Sequence, residues 1–121
     1  MGHRILVVDD DQSIREAIEG VLELEGYAIE LAADGVEALQ KVTVKPPTLM
    51  LLDMMMPRMD GFAVVAELKR QGLRSQFPVI VLTADGSAEA KAAQIGANGY
   101  IIKPFSLNAL IAEVARVIGP V

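Results

Sequence analysis

Short aliphatic runs alternate with amphipathic stretches five times along this chain. The aliphatic runs are apolar at consecutive positions, which is typical of strands buried on both faces of a parallel sheet. The stretches that follow them carry apolar residues at intervals of three and four, the spacing of a helix that packs one face on a core. The predicted strands are 5–8, 27–32, 48–52, 79–82 and 100–102.

Helices are predicted after the strands from this spacing and from their terminal residues. Gly26 and Gly96 are placed to end the first and fourth helices, and Ser106 is placed to cap the last. Asp11 and Asp60 are interpreted as cap or turn residues rather than ligands. The expected inward-facing positions include Ile14, Ala17, Ile18, Val21 and Leu22 in the first helix, Val36, Leu39 and Val42 in the second, Phe62, Val65 and Leu68 in the third, and Leu107, Leu110, Ile111, Val114 and Ile118 in the last.

Strands that alternate with helices pair in parallel through right-handed crossovers. Five units are too few for an eight-stranded barrel, so they favour an open, doubly wound α/β sheet with helices on both faces. No linker, low-complexity tract or internal repeat interrupts the pattern. We therefore predict a single domain over residues 1–121, without an output domain in this chain.

Composition narrows the class of protein. The chain has 121 residues, 52% of them hydrophobic, no cysteine and a formal net charge of −5. Its apolar content excludes a disordered tail, and the lack of cysteine excludes a disulfide scaffold or a cysteine-ligated metal site. No apolar run reaches the ~18 residues of a membrane span, and the acid excess argues against direct nucleic-acid binding. We expect a soluble cytoplasmic domain.

Polar side chains follow four of the five predicted strands, where ligands bind in open α/β sheets. The first strand is followed by Asp9 and Asp10, the third by Asp53, the fourth by Thr83 and the fifth by Lys103. Three carboxylates in one place repel one another unless a cation offsets them, and oxygen ligands alone favour Mg²⁺ over Zn²⁺. With a hydroxyl and an ammonium group beside them, they fit phosphoryl transfer, in which a carboxylate can be the nucleophile.

The motifs at these strand ends together resemble the receiver domain of two-component response regulators. They are ILVVDD at 5–10, LLDMMMP at 51–57 with Asp60-Gly61, VLTA at 81–84, Gly96-Ala97 and YIIKPF at 100–105. The resemblance covers nearly the whole chain and implies a flavodoxin-like (βα)5 sandwich with strand order 2-1-3-4-5. It also implies a switch phosphorylated by a histidine kinase or histidine phosphotransfer protein, which acts on a downstream effector and is not a turnover enzyme.

The resemblance assigns the acceptor and metal roles. Asp53 would be the phosphoacceptor. Asp10, Asp53 and the backbone carbonyl of Met55 would bind Mg²⁺ (or Mn²⁺), and Asp9 would act mainly through metal-bound water. Met55 and Asp85 occupy the two positions that tune the lifetime of the phosphoryl group in this family.

The resemblance also assigns the phosphoryl-binding and switch roles. Thr83 and the backbone N–H of Ala84 would bind the phosphoryl oxygens, and Lys103 would pair with the phosphoryl group or with Asp53. The Lys103–Pro104 peptide bond would be cis, and Tyr100 would be the switch aromatic. The output surface would comprise the fourth helix, the fifth strand and the last helix.

Two other functions stay open at this point. Asp9 and Asp11 have the Asp-x-Asp spacing of haloacid-dehalogenase-like phosphatases, but nothing after Thr83 supplies the later acidic pair that those enzymes need. A phosphatase of this class would also have no role for Asp53. A constitutive protein-binding module is the third candidate, although the intact acceptor, Thr83 and Lys103 disfavour it.

One departure from the family bears on oligomeric state. Asn98 and Gly99 precede Tyr100, where the transcription-factor branch has acidic residues that build a charged dimer face. We therefore expect a monomer or weak dimer. The chain would be a stand-alone receiver or a piece of a longer regulator or hybrid kinase.

Overall fold

The computed structural model describes residues 3–84 and 86–119. Its strands are β1 (Arg4–Val8), β2 (Ala28–Ala32), β3 (Leu49–Asp53), β4 (Val79–Thr83) and β5 (Gly99–Ile102). Its helices are α1 (Gln12–Leu24), α2 (Gly35–Val44), α3 (Gly61–Arg70), α4 (Ala88–Ile95) and α5 (Leu107–Ile118), with a 3₁₀ turn (Arg74–Gln76) before β4. The strands form one parallel sheet in the order β2-β1-β3-β4-β5, which confirms the doubly wound, flavodoxin-like α/β fold.

The sheet divides the core into two layers. Alternate strand residues point to opposite faces, so Ile5 and Val7 lie in the layer that contains α1 and α5. Leu6 and Val8 lie in the other layer, which contains residues of α2, α3 and α4. All residues of β3 and β4 are buried, because both faces of these central strands are covered by helices.

Capping residues begin and end the helices much as the sequence predicts. The side chains of Asp11, Asp60 and Ser106 each accept a backbone N–H hydrogen bond at the start of α1, α3 and α5. Gly96 ends α4 with a φ of 67°, a left-handed conformation that glycine adopts without steric cost. Asp11 and Asp60 are thus cap residues, as expected.

The inward face of α2 differs from the predicted one. Val36 is 55% exposed, and the buried residues of the helix are Gly35, Ala38 and Val42. A Cβ atom on Gly35 would lie only 2.7 Å from the Sδ atom of Met59, so the helix approaches its neighbours closely enough to require small residues there. The spacing of apolar residues predicted that Val36 faces the core, whereas the close approach of the helix to its neighbours leaves room there only for Gly35.

The parallel arrangement brings the carboxyl ends of the strands to one edge of the sheet. Backbone hydrogen bonds extend this arrangement beyond the strands: Met54 N–H donates to the Leu82 carbonyl at 3.0 Å, and Lys103 N–H donates to the Thr83 carbonyl at 2.8 Å. The first residues after β3 and β5 are therefore held against β4. None of the helices in the described residues has the length and apolar character needed to cross a membrane.

Candidate functional site

Three carboxylates meet at the carboxyl ends of β1 and β3. Asp9, Asp10 and Asp53 each offer a carboxylate oxygen, and these oxygens lie within 4.8 Å of one another. Asp9 and Asp53 are 0% and 3% exposed, whereas Asp10 is exposed to solvent. We call these three residues, together with Thr83 and Lys103, the acidic pocket.

Lys103 supplies the positive charge of the acidic pocket. Its Nζ atom lies 2.7 Å from Asp9 Oδ2 and 3.5 Å from Asp53 Oδ2, so its nearer partner is Asp9 and not the expected acceptor. Burial by itself would lower the pKa of Lys103, but the hydrogen bonds and charges of the two carboxylates outweigh it and raise that pKa. The Lys103–Pro104 peptide bond is cis, the conformation expected from the sequence.

Asp53 is held at the centre of the pocket in a defined orientation. The Met55 N–H donates a hydrogen bond to Asp53 Oδ1 at 3.0 Å, while Oδ2 faces Lys103. Burial raises the pKa of Asp53 to about 6, and the negative charge of Asp9 adds to this effect. The Met55 N–H and Lys103 act in the opposite direction. Three carboxylates face one ammonium group in the pocket, so negative charge exceeds positive charge when they are ionised.

Asp9 is oriented by neighbours that the sequence did not identify. Asp9 Oδ1 accepts a hydrogen bond from the Asp11 N–H at 2.9 Å, and the Asp9 carbonyl accepts one from the Arg15 guanidinium at 2.7 Å. The place of Arg15 six residues after Asp9 could have suggested proximity, but not this contact. The carboxylate of Asp11 caps α1, so the carboxylates beside Asp9 are those of Asp10 and Asp53. This arrangement differs from the pairing of Asp9 and Asp11 that the phosphatase hypothesis requires.

Thr83 ends β4 with an unsatisfied hydroxyl. The residue is completely buried, and its Oγ1 atom has no hydrogen-bond partner among the described residues. Leaving a buried polar group unpaired costs about 1–3 kcal/mol, so such groups are uncommon and call for an explanation. A bound oxyanion is one group that could accept a hydrogen bond from it. Ala84 follows and is exposed, and Asp85 lies outside the described residues.

The three consecutive methionines after Asp53 differ in their surroundings. Met54 and Met56 are buried in the core, as expected for methionines that fill gaps. Met55 is 63% exposed, although its N–H is bonded to the Asp53 carboxylate. Tyr100 on β5 is also partly exposed, so its ring lies at the surface. Met55 and Tyr100 are thus exposed apolar groups on the surface of the domain.

The donor set of the acidic pocket fits a divalent cation. The three clustered carboxylates provide hard oxygen ligands without histidine or cysteine, the chemistry that Mg²⁺ and Mn²⁺ prefer. Lys103 alone leaves negative charge in excess, and a cation would offset it. The observed oxygens are close enough for one ion to contact several of them.

Comparison with known proteins agrees with the fold and the sequence motifs. Residues 5–115 match the response regulator receiver domain family. Response regulator MprA of Mycobacterium ulcerans (strain Agy99) is 44% identical over 115 residues, which cover 93% of this chain and 49% of that protein. The chain thus spans about half the length of the curated relatives that it matches.

Solved structures of response regulators and chemotaxis proteins share this fold over nearly the whole chain. The chemotaxis protein CheY4 of Vibrio cholerae superimposes with a TM-score of 0.89 at 35% identity, covering 97% of this chain and 99% of that one. A putative response regulator from Chloroflexus aurantiacus J-10-fl gives a TM-score of 0.88 at 35% identity, covering 98% of each chain. This chain belongs to the family of response regulator receiver domains of two-component signalling.

Proposed function

We propose that this receiver domain is a phosphorylation-controlled switch whose phosphoacceptor is Asp53. The donor would be a histidine kinase or a histidine phosphotransfer protein, with Mg²⁺ or Mn²⁺ as the cofactor. The observation that carries the proposal is that Asp53 lies beside two more carboxylates and the Lys103 ammonium group, with the buried, unsatisfied Thr83 hydroxyl at the end of the neighbouring strand β4. Phosphoryl transfer depends mainly on such positioning and charge neutralisation.

Asp53 is suited to act as the nucleophile without a separate base. With a pKa of about 6, most of its carboxyl groups are ionised at pH 7. The Met55 N–H fixes one oxygen, while the other faces Lys103. A bond forms between an Asp53 oxygen and phosphorus as the P–N bond of the donor phosphohistidine breaks. The imidazole leaves neutral with the electron pair of that bond, because its other nitrogen carries a proton.

The remaining pocket residues would stabilise the added charge. Lys103, the Thr83 hydroxyl and the Ala84 N–H would contact phosphoryl oxygens. Asp9, Asp10, Asp53 and the Met55 carbonyl would hold the metal ion, directly or through water. The ion would supply positive charge to offset the phosphoryl group and the clustered carboxylates. Asp9 already pairs with Lys103, which leaves Asp10 as the most accessible ligand.

Phosphorylation would change the balance between two arrangements of the domain. A phosphoryl group adds roughly 1.5–2 negative charges at neutral pH and would offer the Thr83 hydroxyl a partner. Because β4 leads through Ala84 toward α4, a shift at Thr83 would favour a second arrangement of that segment. The surface of α4, β5 with Tyr100, and α5 would then regulate an effector protein. The domain would catalyse its own phosphorylation and dephosphorylation, without turnover of an external substrate.

Intact-mass measurement tests this proposal. The wild type incubated with Mg²⁺ and acetyl phosphate should gain one phosphoryl group per chain, and Asp53→Asn should gain none. Asp60→Asn is the matched control, because Asp60 is a nearby carboxylate that caps α3 and asparagine also caps helices well. An adduct that persists in Asp53→Asn would overturn the assignment. Continuous phosphate release without a lasting adduct would instead favour a phosphatase.

A further inference from the structure

A groove of about 590 Å³ lies at the edge of the sheet that bears the amino end of β4, opposite the edge that bears the acidic pocket. It is bordered by the connection between α3 and β4 and by the end of α4. Phe77, Pro78 and Ile95 provide apolar surface, and Lys69 and Arg74 provide positive charge. Among the described residues, no aspartate or glutamate lines it. This cationic groove therefore contrasts with the net charge of −5 of the whole chain.

Arg74 is anchored at the wall of the cationic groove by two hydrogen bonds. Its guanidinium donates one hydrogen bond to the Phe77 carbonyl at 3.0 Å and another to the Gly96 carbonyl at 2.8 Å. Its Nε atom is buried and has no partner among the described residues. A guanidinium has five N–H donors; the buried Nε is out of reach of a ligand, so the second N–H of each terminal nitrogen remains for a further acceptor.

The charge of Arg74 is not matched by a carboxylate. Among residues 3–84 and 86–119, no aspartate or glutamate forms an ion pair with it, and burial lowers its pKa. In contrast, Arg70 pairs with Glu67 and Arg116 pairs with Glu113. Partly buried charges are normally paired, because carbonyl dipoles compensate them only in part. The unmatched guanidinium thus favours an anion from outside the chain.

We propose that the cationic groove binds a small organic anion, with its oxyanion group on Arg74 and Lys69 and its apolar body against Phe77, Pro78 and Ile95. A guanidinium recognises phosphate and carboxylate oxygens through charge-assisted hydrogen bonds. The volume falls within the range of small-molecule sites, which combine apolar walls with a few placed polar groups. The two carbonyl bonds hold Arg74 in place before binding, which reduces the entropy lost on association.

Backbone amide NMR with three probes tests the chemistry of this site. Phenylphosphonate carries both an oxyanion and a ring, and its C–P bond prevents phosphoryl donation to the acidic pocket. Added with EDTA and without Mg²⁺, it should shift the amides of Phe77, Gly96 and Asn98 saturably. Inorganic phosphate, which lacks the ring, and benzyl alcohol, which lacks the charge, should each bind at least about tenfold more weakly, because each loses one of the two contacts.

Matched variants test the named residues. Arg74→Gln should weaken phenylphosphonate binding by about tenfold or more, because glutamine keeps a donor but not the charge. Arg70→Gln, at the end of α3 and paired with Glu67 at the surface, should leave affinity unchanged within about twofold. If Arg74→Gln does not fold by circular dichroism, Lys69→Gln replaces it, with an expected loss of about threefold.

Three results would overturn the inference. One is the absence of saturable shifts at the groove, and another is unchanged affinity in the Arg74 or Lys69 variant that was used. The third is equal binding of benzyl alcohol, which would show that the anion contributes nothing. These outcomes do not depend on phosphorylation of Asp53, so they leave the proposed function to its own test.

Discussion

At the carboxyl ends of the strands, one ammonium group, that of Lys103, faces the buried carboxylates of Asp9 and Asp53. On the other side of the molecule, Arg74 has two carbonyl oxygens as partners and no carboxylate within the part of the chain that the structure describes. The first region is left with excess negative charge and the second with excess positive charge. Because buried charge is unfavourable without a counterion, each region would gain stability from a ligand of opposite sign. The two regions therefore differ in the class of ligand that they suit.

The largest expected effect on stability comes from removing the ammonium group of Lys103 from the acidic pocket. Lys103→Gln leaves Asp9 and Asp53 without their shared partner, and we expect a loss of about 2–4 kcal/mol in the free energy of unfolding at neutral pH without metal. Mg²⁺ should recover part of this loss, because it offsets the same carboxylates. Urea unfolding with and without Mg²⁺ measures both effects.

Arg70→Gln provides the comparison for this variant. It removes a surface ion pair with Glu67, and exposed pairs contribute at most about 1 kcal/mol. If Lys103→Gln cost no more than this control, the acidic pocket would not be a region of poorly compensated charge.

An intermediate effect is expected from neutralising Asp53. Burial raises the pKa of Asp53 from 3.8 to about 6, so its ionised form destabilises the folded state relative to the unfolded chain. Asp53→Asn should therefore stabilise the metal-free domain by about 1–3 kcal/mol at pH 7 and above. The gain should decrease as the pH falls from about 6 toward 3.8, and below 3.8 the carboxyl becomes protonated in both states.

Urea unfolding of the wild type and of Asp53→Asn at pH 4, 5 and 7 measures how the stability difference depends on pH. A stability difference that is the same at all three pH values would contradict the raised pKa of Asp53. A loss of stability at pH 7 would mean that the pairing with Lys103 outweighs burial.

The smallest effects distinguish an unsatisfied hydroxyl from a satisfied one. Thr83→Val removes a buried hydroxyl without a partner, so stability should be unchanged or rise by up to about 1 kcal/mol. Thr48→Val, before β3, removes an acceptor for the Arg4 N–H at 3.1 Å, and should cost about 0.5–1.5 kcal/mol. Thermal unfolding without phosphodonor compares the two. If Thr83→Val lowered the stability more than Thr48→Val does, the Thr83 hydroxyl would already have a hydrogen-bond partner in the unphosphorylated domain.

Local chemistry made much of the fold predictable. The aliphatic runs identified all five strands within one or two residues, and the residues at helix ends marked Asp11, Asp60 and Ser106 as caps. These features depend on neighbouring residues and on the period of each element. The 3₁₀ turn Arg74–Gln76 was not predicted, because its single turn has too few residues to show a period.

Sequence by itself determined the alternation of strands and helices and the polar residues that follow the strands. It therefore brought Asp9, Asp10, Asp53 and Lys103 to one edge, because parallel strands place their carboxyl ends together. Only the tertiary structure decided that Lys103 lies nearer Asp9 than Asp53, and that Arg74 bonds two backbone carbonyls. Those contacts depend on how long side chains from distant segments pack against one another, and no local pattern encodes that geometry.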